Sequence, residues 1–275
     1  MARKKKKSDA KLFWRWVLAL SAIALIMTGF AIFLKHCVMP PEPPAYTRPP
    51  EPTLTPNPYG VEDFTYDKNG YLSCLAGQSI PGIDVSSHQE VIDWAAVKAS
   101  GIEFAIIRLG YRGYETGTLH VDERAAENLA GARSAGLQIG AYFFSQAIST
   151  DEALEEAEFA LQVLSGTQLD LPLVYDWEYV SESARTGQLD TPTLMACVEA
   201  FCDRVGQAGY EPMIYFNQDL AKNYLELEQL AYYPFWLAMY TDRMTFPHQI
   251  RFWQYSDQGT VPGIEGDVDL DLYFP

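Results

Sequence analysis

The sequence holds four cysteines and four histidines in 275 residues, and neither set falls into a metal-ligand spacing. Cys197 and Cys202 are five apart on one expected helix and point in different directions, Cys74 sits in an expected hairpin, and Cys37 lacks the small residue before it that a lipidated cysteine needs. His88 stands four residues beyond Asp84, but His36, His120 and His248 complete no site with it, so a loop hydrogen bond is its expected role. No glycine-rich loop opens a helix, which argues against nucleotide binding, and no metal or cofactor is expected. Basic residues are scarce: 20 Lys and Arg face 36 Asp and Glu, and eight of the 20 lie in residues 1–36 with a single Asp. The remainder therefore carries 12 basic against 35 acidic residues, net −23. Such a surface repels polyphosphates, which excludes nucleic acid and anionic lipid as its partners.

What is present divides the chain sharply. A basic stretch, residues 1–11, precedes an apolar run in which Val17 to Leu34 carries no charge, with Trp14 and Trp16 at its edge. Eighteen such residues, extended back to Leu12, can span a hydrocarbon core of ~30 Å. The run exceeds the core of a signal peptide, and no small-x-small cleavage site follows it. The pattern predicts a transmembrane helix over 12–36, with the basic tail cytoplasmic and everything after Cys37 outside: a single-pass protein of the cell membrane. Residues 37–58 follow as a linker, with nine prolines between Pro40 and Pro58, which predicts an extended, semi-rigid spacer.

From Tyr59 the composition becomes globular. Residues 59–79 read as a hairpin lead-in, Phe64 to Cys74 turning at Asn69-Gly70. Over 80–275, strand and helix signals alternate. Strands are expected at Ile80–Val85, Phe104–Leu109, Ile139–Phe144, Leu173–Trp177, Met213–Phe216, Phe235–Met239, Phe252–Tyr255 and Val268–Tyr273. Helices are expected after Asp93, over Asp122–Ala135, from a Ser149/Glu152 capping box, and from Thr191 with Pro192 at the first helical position. Eight strands with helices chiefly in the first half predict an α/β fold, a distorted (β/α)8-like barrel whose later helices are reduced. An open doubly wound sheet is the alternative.

The segment LPLVYDWEYV, residues 171–180, breaks from an apolar run into Asp176 and Glu178 around Trp177. On a strand, alternation turns both acids to one face and Trp177 to the other. Paired carboxylates at a barrel strand's C-terminal end are the equipment for cleaving glycosidic bonds. Two solvated charges ending an edge strand would show the same pattern.

An ordered series of motifs decides between them. GIDVSSHQ (82–89), IDW (92–94), FAIIRLGYRG (104–113), LQIGAYFFS (137–145), VYDWE (174–178), IYFN (214–217), FWLAMY (235–240), FWQYS (252–256) and VPGIEGDVDLDLYF (261–274) resemble, in order, the glycoside hydrolase family 25 lysozymes, N-acetylmuramidases. The resemblance implies cleavage of the β-1,4 bond between N-acetylmuramic acid and N-acetylglucosamine in peptidoglycan glycan strands. It implies catalytic roles for Asp84, Asp176, Glu178 and Asp269. Of Asp267, Asp269 and Asp271, which share one face, Asp269 is chosen on the resemblance alone. Glu178 is the expected general acid and Asp176 the stabiliser of the transition state. Tyr142 and Tyr215, then Tyr111, Tyr240 and Trp253, are candidates for stacking on sugar rings, with ordinary packing as the alternative for each. DWEY also resembles the active-site strand of family 18 chitinases, but Val174 interrupts that family's ladder of acids. A non-catalytic, membrane-tethered wall-binding module is a further alternative, and a metal-dependent phosphodiesterase or deacetylase with Asp84, Asp176 and Asp269 as ligands is a third, which the lack of a histidine pair disfavours.

Overall fold

The computed structural model describes residues 53–275. The predicted basic tail, the predicted transmembrane helix and the linker as far as Pro52 lie outside the described residues. Among the described residues no helix is long and apolar enough to cross a membrane.

A hairpin of β1 (Phe64–Tyr66) and β2 (Leu72–Cys74) turns at Gly70, whose φ of 87° is the left-handed conformation expected of Asn-Gly. The barrel strands are β3 (Ile80–Val85), β4 (Phe104–Arg112), β6 (Gln138–Ser145), β7 (Leu173–Trp177), β8 (Pro212–Asn217), β9 (Phe235–Ala238), β10 (Phe252–Gly259) and β11 (Val268–Tyr273). They pair in that order, and β3 pairs with both β4 and β11, so the sheet closes on itself and the open-sheet alternative is excluded. A short strand, β5 (Leu119–Val121), folds back on the end of β4.

The barrel departs from the expected (β/α)8 pattern at its seam. β11 runs antiparallel to both neighbours, whereas every other adjacent pair in the barrel is parallel. Residues 260–267 form the whole connection from β10 to β11. That is short of the dozen or so residues a parallel crossover requires, so the chain must turn back.

Helices wall the first half of the barrel: α1 (Trp94–Ala99), α2 (Ala125–Ser134), α3 (Thr150–Leu164) and α4 (Thr191–Gln207). Asp93 caps α1, accepting from the amides of Ala95 and Ala96 at 3.1 Å. Ser149 caps α3 by accepting from the Glu152 amide at 3.3 Å, while the Glu152 carboxylate reaches back to the Ile148 amide at 3.0 Å. α4 starts one residue earlier than expected, with Asp190 rather than Thr191 as its cap. Its buried face, Leu194, Val198, Phe201 and Val205 among others, follows the spacing of an amphipathic helix.

After β8 only α5 (Gln218–Asn223) and α6 (Leu227–Leu230) remain, and no helix follows β9. The lead-in takes their place. The Phe64 ring meets Trp253 edge-on at 5.0 Å, Tyr59 stacks on Phe274 at 4.9 Å, and the Leu72 amide donates to the Tyr255 hydroxyl at 3.2 Å. The last linker residues are ordered too. The Gln249 amide donates to the Thr55 carbonyl at 2.8 Å, and the Asn57 amide to that of Pro247 at 2.9 Å.

Candidate active site

The lumen fills from the floor upward. Phe252 and Tyr273 stack at 4.5 Å, and Phe104 meets both edge-on. Gly82 makes room for them, since a Cβ at that position would lie 2.3 Å from the Phe104 ring. Above this aromatic floor come Ile106, Val174, Met213, Tyr142 and Trp236, all buried. Apolar packing thus closes the lower barrel, and the polar residues are confined to the layers toward the C-terminal ends of the parallel strands.

Four carboxyls converge at that mouth. Asp84, two residues beyond Gly82 on β3, lies directly across from Asp269 of β11. Because β11 is reversed, its first residues sit beside the last residues of β3. Asp176 occupies β7 level with Tyr215 of β8, and Glu178 follows immediately after the strand, half-buried. Trp177 points outward against Tyr224, as the alternation predicts. Of the three aspartates that alternation left equivalent, Asp267 is exposed before the strand, Asp269 faces Asp84 at the mouth, and Asp271 is wholly buried one step deeper, across from Gly82.

Their electrostatics are unusual for acids. Burial, then the nearby charge of Glu178, hold Asp176 well above the ordinary carboxylate range. Burial alone raises Glu178, while burial and the charge of Asp257 push Asp269 up to about 6. Asp176 is 5% exposed, and its Oδ1 is buried with no hydrogen-bond partner. The cation nearest in effect is Arg108 on β4, which lowers Asp176, but its Nε donates to Asp122 at 2.8 Å and its Nη2 to Ser87 at 3.2 Å.

Gln254 of β10 ties the mouth together. Its Nε2 donates to Asp84 Oδ2 at 2.7 Å, and its Oε1 accepts from the hydroxyls of Tyr215 at 3.0 Å and Tyr240 at 3.2 Å. A second tie holds the proposed acid's backbone. Buried Gln146 donates to the Glu178 carbonyl at 3.0 Å and accepts from Thr186 Oγ1 at 2.6 Å, while Arg185 bonds both the Gln146 carbonyl and Glu152 at 2.7 Å. The loop after β7 is thereby fastened to the loop after β6.

Sequence reasoning missed Gln254, Gln146 and Arg108. The signal for Gln254 and Arg108 is a lone polar residue inside an apolar strand, FWQYS and AIIRLG. Among the aromatic candidates, Tyr142 and Tyr215 face the lumen, Tyr240 is 54% exposed at the rim, and Tyr111 stacks on His120 at 4.9 Å beside the mouth. Trp253 is a correction. It faces outward, fully buried, with its Nε1 donating to the Met239 carbonyl at 2.8 Å, because alternation on β10 turns Phe252 and Gln254 inward.

Cavities open on both sides of the acids. One of about 590 Å³ is lined by Glu178, Tyr215, Asn217, Tyr240 and Arg243. Another, of about 610 Å³, is lined by Ser87, Arg108, Tyr111, His120 and Val180. Both fall in the size range of small-ligand sites. A third, of about 360 Å³, lies at the opposite end of the barrel, among Thr53, Pro234, Arg251 and Pro275.

Residues 83–264 match the family described as Glycosyl hydrolases family 25. The chain is 34% identical over 212 residues to the uncharacterized protein YegX of Escherichia coli strain K12, covering 72% of this chain and 71% of that protein. It is 30% identical over 204 residues to Lysozyme M1 of Streptomyces globisporus, covering 70% and 67% respectively. Among solved structures, it superimposes on the modular autolysin LytC of Streptococcus pneumoniae, in complex with a synthetic peptidoglycan ligand, with a TM-score of 0.64 and 25% identity. That match covers 77% of this chain but only half of the autolysin.

Proposed function

The chain belongs to glycosyl hydrolase family 25, and from that premise we propose that it is a muramidase that cleaves peptidoglycan between N-acetylmuramic acid and N-acetylglucosamine, with Glu178 as general acid. The observation that carries the reading is the unpartnered buried oxygen of Asp176 beside a half-buried Glu178, at a mouth flanked by two open cavities.

Raised by burial, Glu178 keeps its proton above the free glutamate value of ~4.3 and can deliver it to the glycosidic oxygen. The same carboxylate then takes a proton from the attacking water. As the bond breaks, positive charge develops at the sugar's anomeric carbon. Asp176, 5% exposed and with one oxygen uncommitted, stabilises that charge more strongly where it is buried than it would in water. Asp269 and Asp84 sit across from each other beside the sugar, and Tyr215 and Tyr240 border the space it would fill. Apolar Val174, buried in the lumen, stands where a chitinase ladder requires another acid.

The substrate places the enzyme outside the cell. In this reading the apolar run and the prolines tether it to the membrane, and the ordered residues from Thr53 meet the barrel at its floor.

The test is incubation of the full chain and of its Glu178→Gln variant with insoluble peptidoglycan, followed by borohydride reduction and mass spectrometry of released fragments. Ends in reduced muramic acid from the wild type alone are the expected result. Reduced N-acetylglucosamine ends would assign the other linkage, and no release from several wall types would leave a wall-binding module.

A further inference from the structure

Below the proposed catalytic pair lies a contact between two carboxyls that the hydrolysis does not use. Asp271 is fully buried, with its Oδ1 accepting from Trp236 Nε1 at 2.8 Å. Its Oδ2 is buried without any N–H or hydroxyl partner. The carboxyl of Asp84, itself 5% exposed and held by Gln254 at 2.7 Å, enters the same lumen from the adjacent strand, where Asp84 pairs with Asp269 two residues from Asp271, and the two buried acids act on each other. Two carboxylates have no hydrogen between them to donate, so they bond only if one carries a proton.

We propose that Asp84 and Asp271 share a single proton, and that Asp271 is thereby a positioning residue that fixes Asp84 at the mouth as half of a singly charged pair. The proposal deepens the muramidase reading and rests on it for its kinetic consequence alone.

The surroundings offer no other way to accommodate two charges. From β11 and β7 the pair faces acids, Asp269 nearest and Asp176 with Glu178 beyond, and the charge of Asp257 of β10 pushes Asp269 up further. From β6, β8 and the end of β9 it faces the neutral hydroxyls of Tyr142, Tyr215 and Tyr240. β4 supplies Arg108, which is bonded to Asp122. Among the described residues no cation hydrogen-bonds to either carboxyl. Burial and the charges of neighbouring aspartates accordingly hold both acids well above the ordinary range. One proton reduces the pair from two negative charges to one, which lessens the like charge that faces Asp269. When pH rises until the proton leaves, Asp84 and Asp271 repel and the mouth loses its geometry.

The test combines a proton readout with a kinetic one. In infrared difference spectra of the full chain at neutral pH, a protonated-carboxyl C=O band should disappear in both Asp271→Asn and Asp84→Asn, because an amide supplies the donor that the shared proton supplied. For kcat/KM on peptidoglycan, Asp271→Ala should lose about 10- to 100-fold through misplacement of Asp84. Asp271→Asn should recover most of that loss, and its alkaline limb should depend on one proton fewer than that of the wild type. Persistence of the band in Asp271→Asn, or equal kinetics and unchanged pH limbs for the Ala and Asn variants, would overturn the proposal. The infrared result needs no turnover, so it stands even if the chain proves inactive on peptidoglycan. If Asp271→Ala does not fold, the band in Asp84→Asn still decides.

Discussion

Two sets of buried acids lie on opposite sides of the barrel wall. Outside it, Glu156 of α3 is fully buried and completely satisfied: Arg112 Nε donates at 2.7 Å, Ser145 Oγ at 2.6 Å and the Gln146 amide at 3.3 Å. Arg112 in turn bonds Glu155 and the carbonyls of Gly117 and Glu152. Burial pushes Glu156 up to about 7, with the Ser145 and Arg112 bonds and the Arg112 charge pulling the other way. Inside the wall, Asp176 has an oxygen with no partner, and Asp84 and Asp271 face each other without a cation. Both sets have been taken out of water. The outer set is offset locally and so serves architecture; the inner set is not, and its unspent capacity for hydrogen bonding and charge is what a substrate can use.

That contrast should break apart under mutation. Glu178→Gln is expected to lower kcat about 10³-fold or more while the melting temperature holds, measured by reducing-end release and by circular dichroism. Arg112→Met should do the reverse. It strands Glu156 and should cost about 3–5 kcal/mol of stability in urea unfolding. Gln146→Leu lies where the two sets meet and should lower kcat about 10- to 100-fold with KM little changed, because it frees the Glu178 backbone. A smaller effect concerns pH. Glu156 and Asp269 bind protons more tightly folded than unfolded, so each stabilises the fold fully at low pH and loses that contribution as pH rises. The windows run from 4.5 to about 7 for Glu156 and from 3.8 to about 6 for Asp269. Denaturation midpoints should therefore fall across pH 4–7, and Glu156→Gln should flatten the upper part of that slope. The smallest change expected is a gain: Asp176→Asn should raise stability by about 1 kcal/mol, seen as a shift of a few degrees in melting, while abolishing most turnover.

The eight strands were legible because a barrel strand buried on both faces writes itself as an apolar run bounded by turns. Asp176 and the outward Trp177 followed from alternation. The direction of β11 was not legible, since a run such as VDLDLY reads alike either way, and only the length of its connection restricts it. The depth of Asp271 was hidden for a related reason. Alternation places Asp267, Asp269 and Asp271 on one side, but which of them meets Asp84 depends on how far β11 slides along β3. Trp253 could have been placed correctly by applying to Gln254 the alternation that placed Trp177. Gln146 and Thr186 lie on loops, where no periodicity reports which side chain will close over which carbonyl.

The position of β11 between β3 and β10 also sets a clock. Asp84 belongs to the first barrel strand to leave the ribosome, and Asp269 and Asp271 to the last. At ordinary rates of synthesis the interval between them is roughly 10 to 40 s. During that interval β3 lacks its antiparallel partner, the shared proton has no second carboxyl to bind, and the cluster of acids does not exist. The four carboxyls of the mouth thus come together only when the final strand closes the seam.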